Sequence, residues 1–240
     1  MNLDLTGKRA IVCGSTRGIG KAIAIELARL GAHITLFARD EGRLQSALTQ
    51  LPSDKGQRHE YLVADFSFPE KVKTIADKYA KENVVHILVN NTGGPPGGLA
   101  ADAAPDDFLK AFSAHLLCNQ ILVQAVVDGM KSAGYGRVIN IISTSVKAPI
   151  RGLGVSNTVR GAVANWAKTL SVELAPFGIT VNNVLPGATM TERLRELNRI
   201  KAEKTGKNME ELNEEMKKEI PAQRFALPEE VAAAAAFLAC

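Results

Sequence analysis

The run Gly14-Ser15-Thr16-Arg17-Gly18-Ile19-Gly20 carries the clearest chemistry in the chain. It follows a short apolar stretch at 9–13 and opens a segment with Ile19, Ile23, Leu27 and Leu30 at helical spacing. Three glycines there permit a tight turn and let a phosphate approach the backbone. The helix N-terminus then offers free N–H groups and a favourable dipole to a pyrophosphate. In this strand–turn–helix setting the cluster reads as a dinucleotide loop. An acidic residue at the end of the second strand would bond a ribose 2′-hydroxyl and repel a 2′-phosphate. Ala38 holds that place, Arg39 follows it, and Arg17 lies in the loop. Two guanidinium groups suit a 2′-phosphate through charge-assisted hydrogen bonds. NADP(H) is therefore favoured over NAD(H), with Asp40 as a rival for the acidic role.

The elements that must position this loop alternate along the chain. Strands are expected at 9–13, 34–37, 61–63, 86–89, 137–142 and 179–184. Helices are expected at 19–30, 41–51, 71–81, 105–130, 156–174 and 231–240. Repeated strand–helix–strand order implies an α/β fold, a Rossmann-type doubly wound parallel sheet with helices on both faces. Ligands in such folds sit beyond the carboxyl ends of the strands. The whole chain, 1–240, reads as one dinucleotide-binding domain. The segment 191–220 is rich in charges of both signs, and reads as a solvated helical excursion that also serves as a substrate lid.

Bulk composition narrows the partners. The 240 residues are 46% hydrophobic and 22% charged, with a net charge of +4. That mild basicity suits anionic ligands, and the lack of a long basic run argues against nucleic acid. Three cysteines, Cys13, Cys118 and Cys240, are widely spaced and form no metal-ligand pattern, so no metal is expected and a reducing cytoplasm fits. The first residues lack the pattern of a secretory leader, and no stretch suits a bilayer span, so no membrane partner is expected.

The G-x-x-x-G-x-G spacing resembles that of the short-chain dehydrogenase/reductase family, in particular its β-ketoacyl-ACP reductases, and the resemblance continues along nearly the whole chain. Asn90-Asn91-Thr92-Gly93 matches the family's N-N-A-G with Thr for Ala. Asp65, with Phe66 beside it, falls where the family faces the adenine. Pro186-Gly187 matches its P-G, with Thr189 and Thr191 just beyond. The resemblance implies that these residues, with Arg160, line the cofactor. It also implies oxidoreductase activity on a carbonyl or alcohol, either a small molecule or an acyl group bound to a carrier. A homo-oligomer, tetramer or dimer, is implied as well, joined through the long helix and the 156–174 helix. Against the family pattern a seventh strand is expected to be missing after the last helix.

The family's catalytic set is Ser, then Tyr thirteen positions on, Lys four further, and an Asn on the long helix. Alignment places Ser143, Ser156, Arg160 and His115 at these positions, so only Ser143 is retained. A serine hydroxyl is a far weaker acid than a phenol, and Arg160 stays protonated, so it can bind ribose but cannot relay a proton. His115 suits proton transfer at neutral pH, but equally suits packing or hydrogen bonding within the long helix. Ser156 also fits a helix N-cap. Tyr135, at the sheet end away from the cofactor, is not expected to replace the missing tyrosine. Three readings stay open: an enzyme with an altered proton donor, His115 or water; an NADP(H)-binding regulatory or partner subunit without turnover; and a different reaction, such as dehydration or epimerisation, in the same pocket. The loop 91–98, rich in Gly and Pro, either shapes the pocket or is a rigid turn.

Overall fold

In the computed structural model, residues 2–206 and 208–240 are described. Six strands form one parallel sheet: β1 Arg9–Cys13, β2 His33–Ala38, β3 Glu60–Val63, β4 Ile87–Asn90, β5 Gly136–Ile141 and β6 Ile179–Val184. Their order is β3-β2-β1-β4-β5-β6. Both faces of the sheet are covered, so its central strands are continuous apolar runs rather than alternating ones. Along β1, Ala10 and Val12 turn to a core completed by α1 (Gly18–Arg29), α2 (Glu41–Leu48) and α9 (Pro228–Ala239). Ile11 and Cys13 turn to the opposite core, built with α3 (Pro69–Glu82), α5 (Cys118–Ser132) and α6 (Gly154–Leu174). The chain reverses direction of growth between β1 and β4, and the crevice this leaves at their carboxyl ends is where a doubly wound sheet binds its ligand.

Two helices depart from the sequence expectation. The stretch 105–130 is not one regular helix: α4 (Pro105–Phe112) passes through a π-helical turn, Ser113–Leu117, into α5. Ser156 is not an N-cap, because α6 begins at Gly154 and its capping position is Leu153, which makes no side-chain cap. Tertiary contact overrides the capping preference here. Gly98 N donates to Gly152 O (2.8 Å) and Gly154 N to Gly98 O (3.0 Å). A Cβ on Gly154 would lie 2.4 Å from Ala100 N, so the 98–100 segment pins the start of the helix and requires the glycine.

The 191–220 segment contains α7 (Glu192–Thr205) and α8 (Met209–Lys218). Thr191 and Asn208 cap them, accepting from Leu194 N and Glu210 N. Leu212 is buried beneath, and Asn198 Nδ2 donates to Asn213 Oδ1 at 2.7 Å.

Three asparagines in register, Asn90, Asn140 and Asn183, tie β4, β5 and β6 together just below the crevice. Asn90 Nδ2 donates to Asn140 Oδ1 (2.8 Å), and Asn140 Nδ2 to Asn183 Oδ1 (3.1 Å). Asn140 is fully buried. Asn140→Leu removes a donor and an acceptor at once and strands two amides, so it is expected to cost about 1–3 kcal/mol. Urea unfolding of variant and wild type measures this as a lower midpoint at unchanged slope.

Candidate cofactor and active site

The glycine loop is held by β2 and by the loop after β4. Gly14 N donates to Phe37 O (2.8 Å), and Phe37 N to the buried Ser15 Oγ (3.1 Å), so the Ser15 oxygen anchors the loop to β2. Asn91 Nδ2 reaches Cys13 O and Gly14 O, both at 3.2 Å. Gly14 and Gly18 have positive φ (57° and 54°), the left-handed region that glycine enters freely. Gly20 has no room for a side chain: a Cβ would sit 2.4 Å from Gly14 O. The capping position of α1, Arg17, makes no side-chain cap, leaving the first-turn amides open to an anion. Ile19 packs half-buried on the core beneath. This cradle fits a dinucleotide pyrophosphate.

On the ribose side, Ala38 closes β2 and its carbonyl accepts from Ala64 N (3.0 Å). The Asp40 carboxylate caps α2 by accepting from Arg43 N (3.0 Å) and pairs with the Arg43 guanidinium at 3.2 Å. Arg39 is exposed and lies 3.9 Å from Asp65 Oδ2, while Asp65 Oδ1 accepts from Ser67 N. The Phe66 ring stands edge-on to Phe37 at 5.3 Å. Sequence reasoning passed over Lys21, Arg43 and Glu192, which line a cavity with Thr16 and Arg17. Only Lys21, directly after the glycine loop, carried a signal in the sequence; Arg43 and Glu192 are distant from the loop until the fold assembles them.

Two of the expected catalytic residues, His115 and Arg160, meet at Thr92. His115 lies in the π-helical turn, is 2% exposed, and has Nδ1 2.5 Å from Thr92 Oγ1. Arg160 Nη1 donates to Ile141 O (2.9 Å) and Nη2 to Thr92 O (3.4 Å). Ser143, two residues past Ile141, accepts from Ser145 N (3.1 Å), which leaves its O–H free to donate. Ser156 lies one turn before Arg160 on α6, half-buried and without a hydrogen-bond partner among the described residues. Gly93 has open space about its Cα. Pro186 O accepts from Thr144 N (3.2 Å), holding the loop after β6 against the one after β5, and Thr189 Oγ1 donates to Gly187 O (3.1 Å) within the former. Tyr135 is remote from this cluster, its hydroxyl donating to Ala239 O at 2.6 Å.

Burial, and after it the Arg160 charge, pushes the His115 imidazole down to about 3 from its ordinary 6.5, against a backbone hydrogen bond with Gly93. Burial also lowers Arg160 to about 10, which leaves it charged at neutral pH. The histidine is therefore neutral and serves to hold Thr92. Above pH 6.5 both folded and unfolded chains carry a neutral ring, and the full stability is present. As pH falls below 6.5 the unfolded chain takes up a proton that the folded one refuses until about pH 3. Stability should fall by about 1.4 kcal/mol per pH unit from this group over that window. His115→Gln should remove that slope, which thermal melts at pH 7 and pH 5 will read. His86 is also lowered, by burial first and then Lys8 and Arg9, and adds a slope of the same sign in both proteins.

The loop 91–98 forms a roof joined to two neighbours. Gly98 bridges to Leu153 ahead of α6, and Arg193 of α7 donates to Pro95 O at 2.7 Å. Among the described residues no cluster of His, Cys, Asp or Glu could hold a metal ion, and no helix is long and apolar enough to cross a membrane. Cys13 and Cys118 are buried, and burial raises both thiols, Cys118 to about 12, so they pack as small hydrophobes.

A parallel six-stranded sheet with this loop at its switch point defines a Rossmann-like nucleotide-binding architecture, and the short chain dehydrogenase family profile matches residues 8–202. The chain belongs to the short-chain dehydrogenase family. It is 37% identical over 203 residues to an NADPH-dependent aldehyde reductase-like chloroplastic protein of Arabidopsis thaliana, covering 79% of this chain and 75% of that one. A 3-oxoacyl-[acyl-carrier-protein] reductase of Rickettsia conorii is 33% identical over 237 residues, covering 99% of this chain and 91% of the relative. L-sorbose reductase from Gluconobacter frateurii, solved with NADPH and L-sorbose, superposes with a TM-score of 0.92 at 29% identity, covering 100% of this chain and 92% of its own.

Proposed function

We propose that the chain is an NADP(H)-dependent oxidoreductase acting on a carbonyl or alcohol, either a small molecule or an acyl group held on a carrier. The observation that carries this reading is the open cradle of the glycine loop, with Ala38 in the acidic place and Arg17 in the loop. NADPH binding by L-sorbose reductase supports it, as do the reductase names of the relatives. The cofactor, when bound, supplies or accepts the hydride. Ser143, with its hydroxyl hydrogen free, donates to the substrate oxygen. Arg160 keeps its charge against the ribose. Neutral His115 holds Thr92 in place rather than delivering a proton. The proton comes from water through the half-buried hydroxyls of Ser156 and Ser143, a slower route than a positioned phenol. The free cysteines suit a cytoplasmic setting. Exposed Leu109, Phe112 and Leu117 around α4 and Val172 on α6 suit assembly with further copies of the chain.

The test is a titration with NADPH and NADH followed by cofactor fluorescence, then a turnover screen with aldehydes, ketones, sugars and 3-oxoacyl thioesters. Tight NADPH binding, weak NADH binding and turnover support the reading. Selective binding without turnover of any of these substrates turns it toward a non-catalytic partner.

A further inference from the structure

The cavity beside the dinucleotide loop has a volume of about 240 Å³ and opens between α1 and α2. Its cations come from three places: Arg17 in the loop, Lys21 in the first turn of α1, and Arg43 in the first turn of α2. Ser46 and Thr16 add hydroxyls. Arg39 faces Asp65 instead and does not line it. Lys21 has no ion pair among the described residues, and Arg43 shares its charge with Asp40. The one carboxylate on the wall is Glu192, the first residue of α7, which reaches across from the lid to pair with Arg17. The start of α7 also rests on the loop, since a Cβ on Gly18 would meet Thr191 Cγ2 at 3.3 Å.

We propose that this cavity seats the 2′-phosphate of the cofactor, and that Glu192 is the anion it displaces, so that the phosphate's arrival releases the first turn of α7 from the dinucleotide loop. This rests on the NADP(H) reading above. A phosphate monoester brings nearly two negative charges and three acceptor oxygens to Arg17, against one charge from an exposed carboxylate. Lys21 and Arg43 add attraction that Glu192 alone does not complete. A dianion between them repels Glu192, and the exposed side chain can leave at little cost because its pair with Arg17 is solvent-facing. Glu192 keeps a favourable place near the N-terminus of α7 when released. NADH has no group to drive this exchange, so it leaves the lid tied to the loop. Glu192 thus sets both selectivity and the moment at which α7 is free to rearrange over a substrate.

The full chain and its Glu192→Gln, Lys21→Ala and Arg43→Ala variants should be titrated with NADPH and NADH, with hydrogen exchange followed over the first turn of α7. In wild type, NADPH should speed exchange there and NADH should not. Glu192→Gln should exchange fast without cofactor and bind NADPH about two- to fivefold more tightly, with NADH affinity unchanged. Lys21→Ala and Arg43→Ala should each weaken NADPH about tenfold and leave NADH alone. Selective NADPH binding that none of the three variants alters overturns this inference and leaves the cofactor reading standing. So does a Glu192→Gln change that is equal for both cofactors. Failure of wild type to bind either cofactor overturns both.

Discussion

Gly20→Ala should lose NADPH affinity by about 10- to 100-fold and melt at a lower temperature than wild type. The added methyl carbon would lie 2.4 Å from Gly14 O and 2.6 Å from Asn91 Nδ2. Neither neighbour is a loose side-chain tip. Gly14 is fixed by its bond to Phe37 O, and the Asn91 amide by its bonds to Cys13 O and Gly14 O. The loop and the first turn of α1 must therefore part, and overpacking of this kind costs about 1–3 kcal/mol. The same parting spoils the amide cradle, and each 1.4 kcal/mol or so is about tenfold in affinity. Gly129→Ala is the matched control. It lies in α5, where a Cβ meets only Val84, at 3.8 Å, and alanine favours a helix, so neither binding nor melting should suffer. If Gly20→Ala binds NADPH like wild type, the loop is not the pyrophosphate cradle.

Ser156→Tyr combined with Arg160→Lys should raise carbonyl reduction by about 10²- to 10⁴-fold, the usual worth of a positioned general acid. The two positions share a face of α6 one turn apart, and Ser156 is half-buried with no hydrogen-bond partner among the described residues, so a ring there displaces no existing bond. Arg160→Lys alone should lower turnover. An ammonium cannot reproduce the forked reach of the guanidinium to Ile141 O and Thr92 O. Rates with saturating NADPH and a common ketone compare the two variants with wild type. No gain in the double variant would show that proton supply does not limit this site.

The parallel sheet was legible because its central strands are buried on both faces: β1 runs over the residues that its apolar run marks, and the edge strand β6, apolar at Ile179, Val181 and Val184, also falls where expected. The glycine loop was legible for the opposite reason, since strand, turn and helix are local and their residue types are constrained by backbone geometry. What escaped depends on contacts distant in sequence. The start of α6 is set by Ala100, more than fifty residues earlier, and no capping rule carries that information. Arg39 and Asp65 could be named from position, but the turning of Arg39 toward Asp65, and of Asp40 toward Arg43, needed the side chains. Likewise, Glu192 is one charge among many in 191–220 until the fold brings it to Arg17.

The π-helical turn at Ser113–Leu117 makes the length of the α4–α5 segment as consequential as its composition. Each residue advances a helix by about 100°, and a wide turn accommodates one extra residue without rotating the helix beyond it. Leu122, Val126 and Met130 thereby keep facing the core while His115 faces Thr92. A chain one residue shorter between 113 and 117 could form an unbroken helix that keeps the core stripe, yet it would re-aim the residues of the turn, His115 among them. Deletion and insertion in this stretch are thus unequal to substitution: they change which chemistry the helix presents to the crevice while leaving its propensity intact.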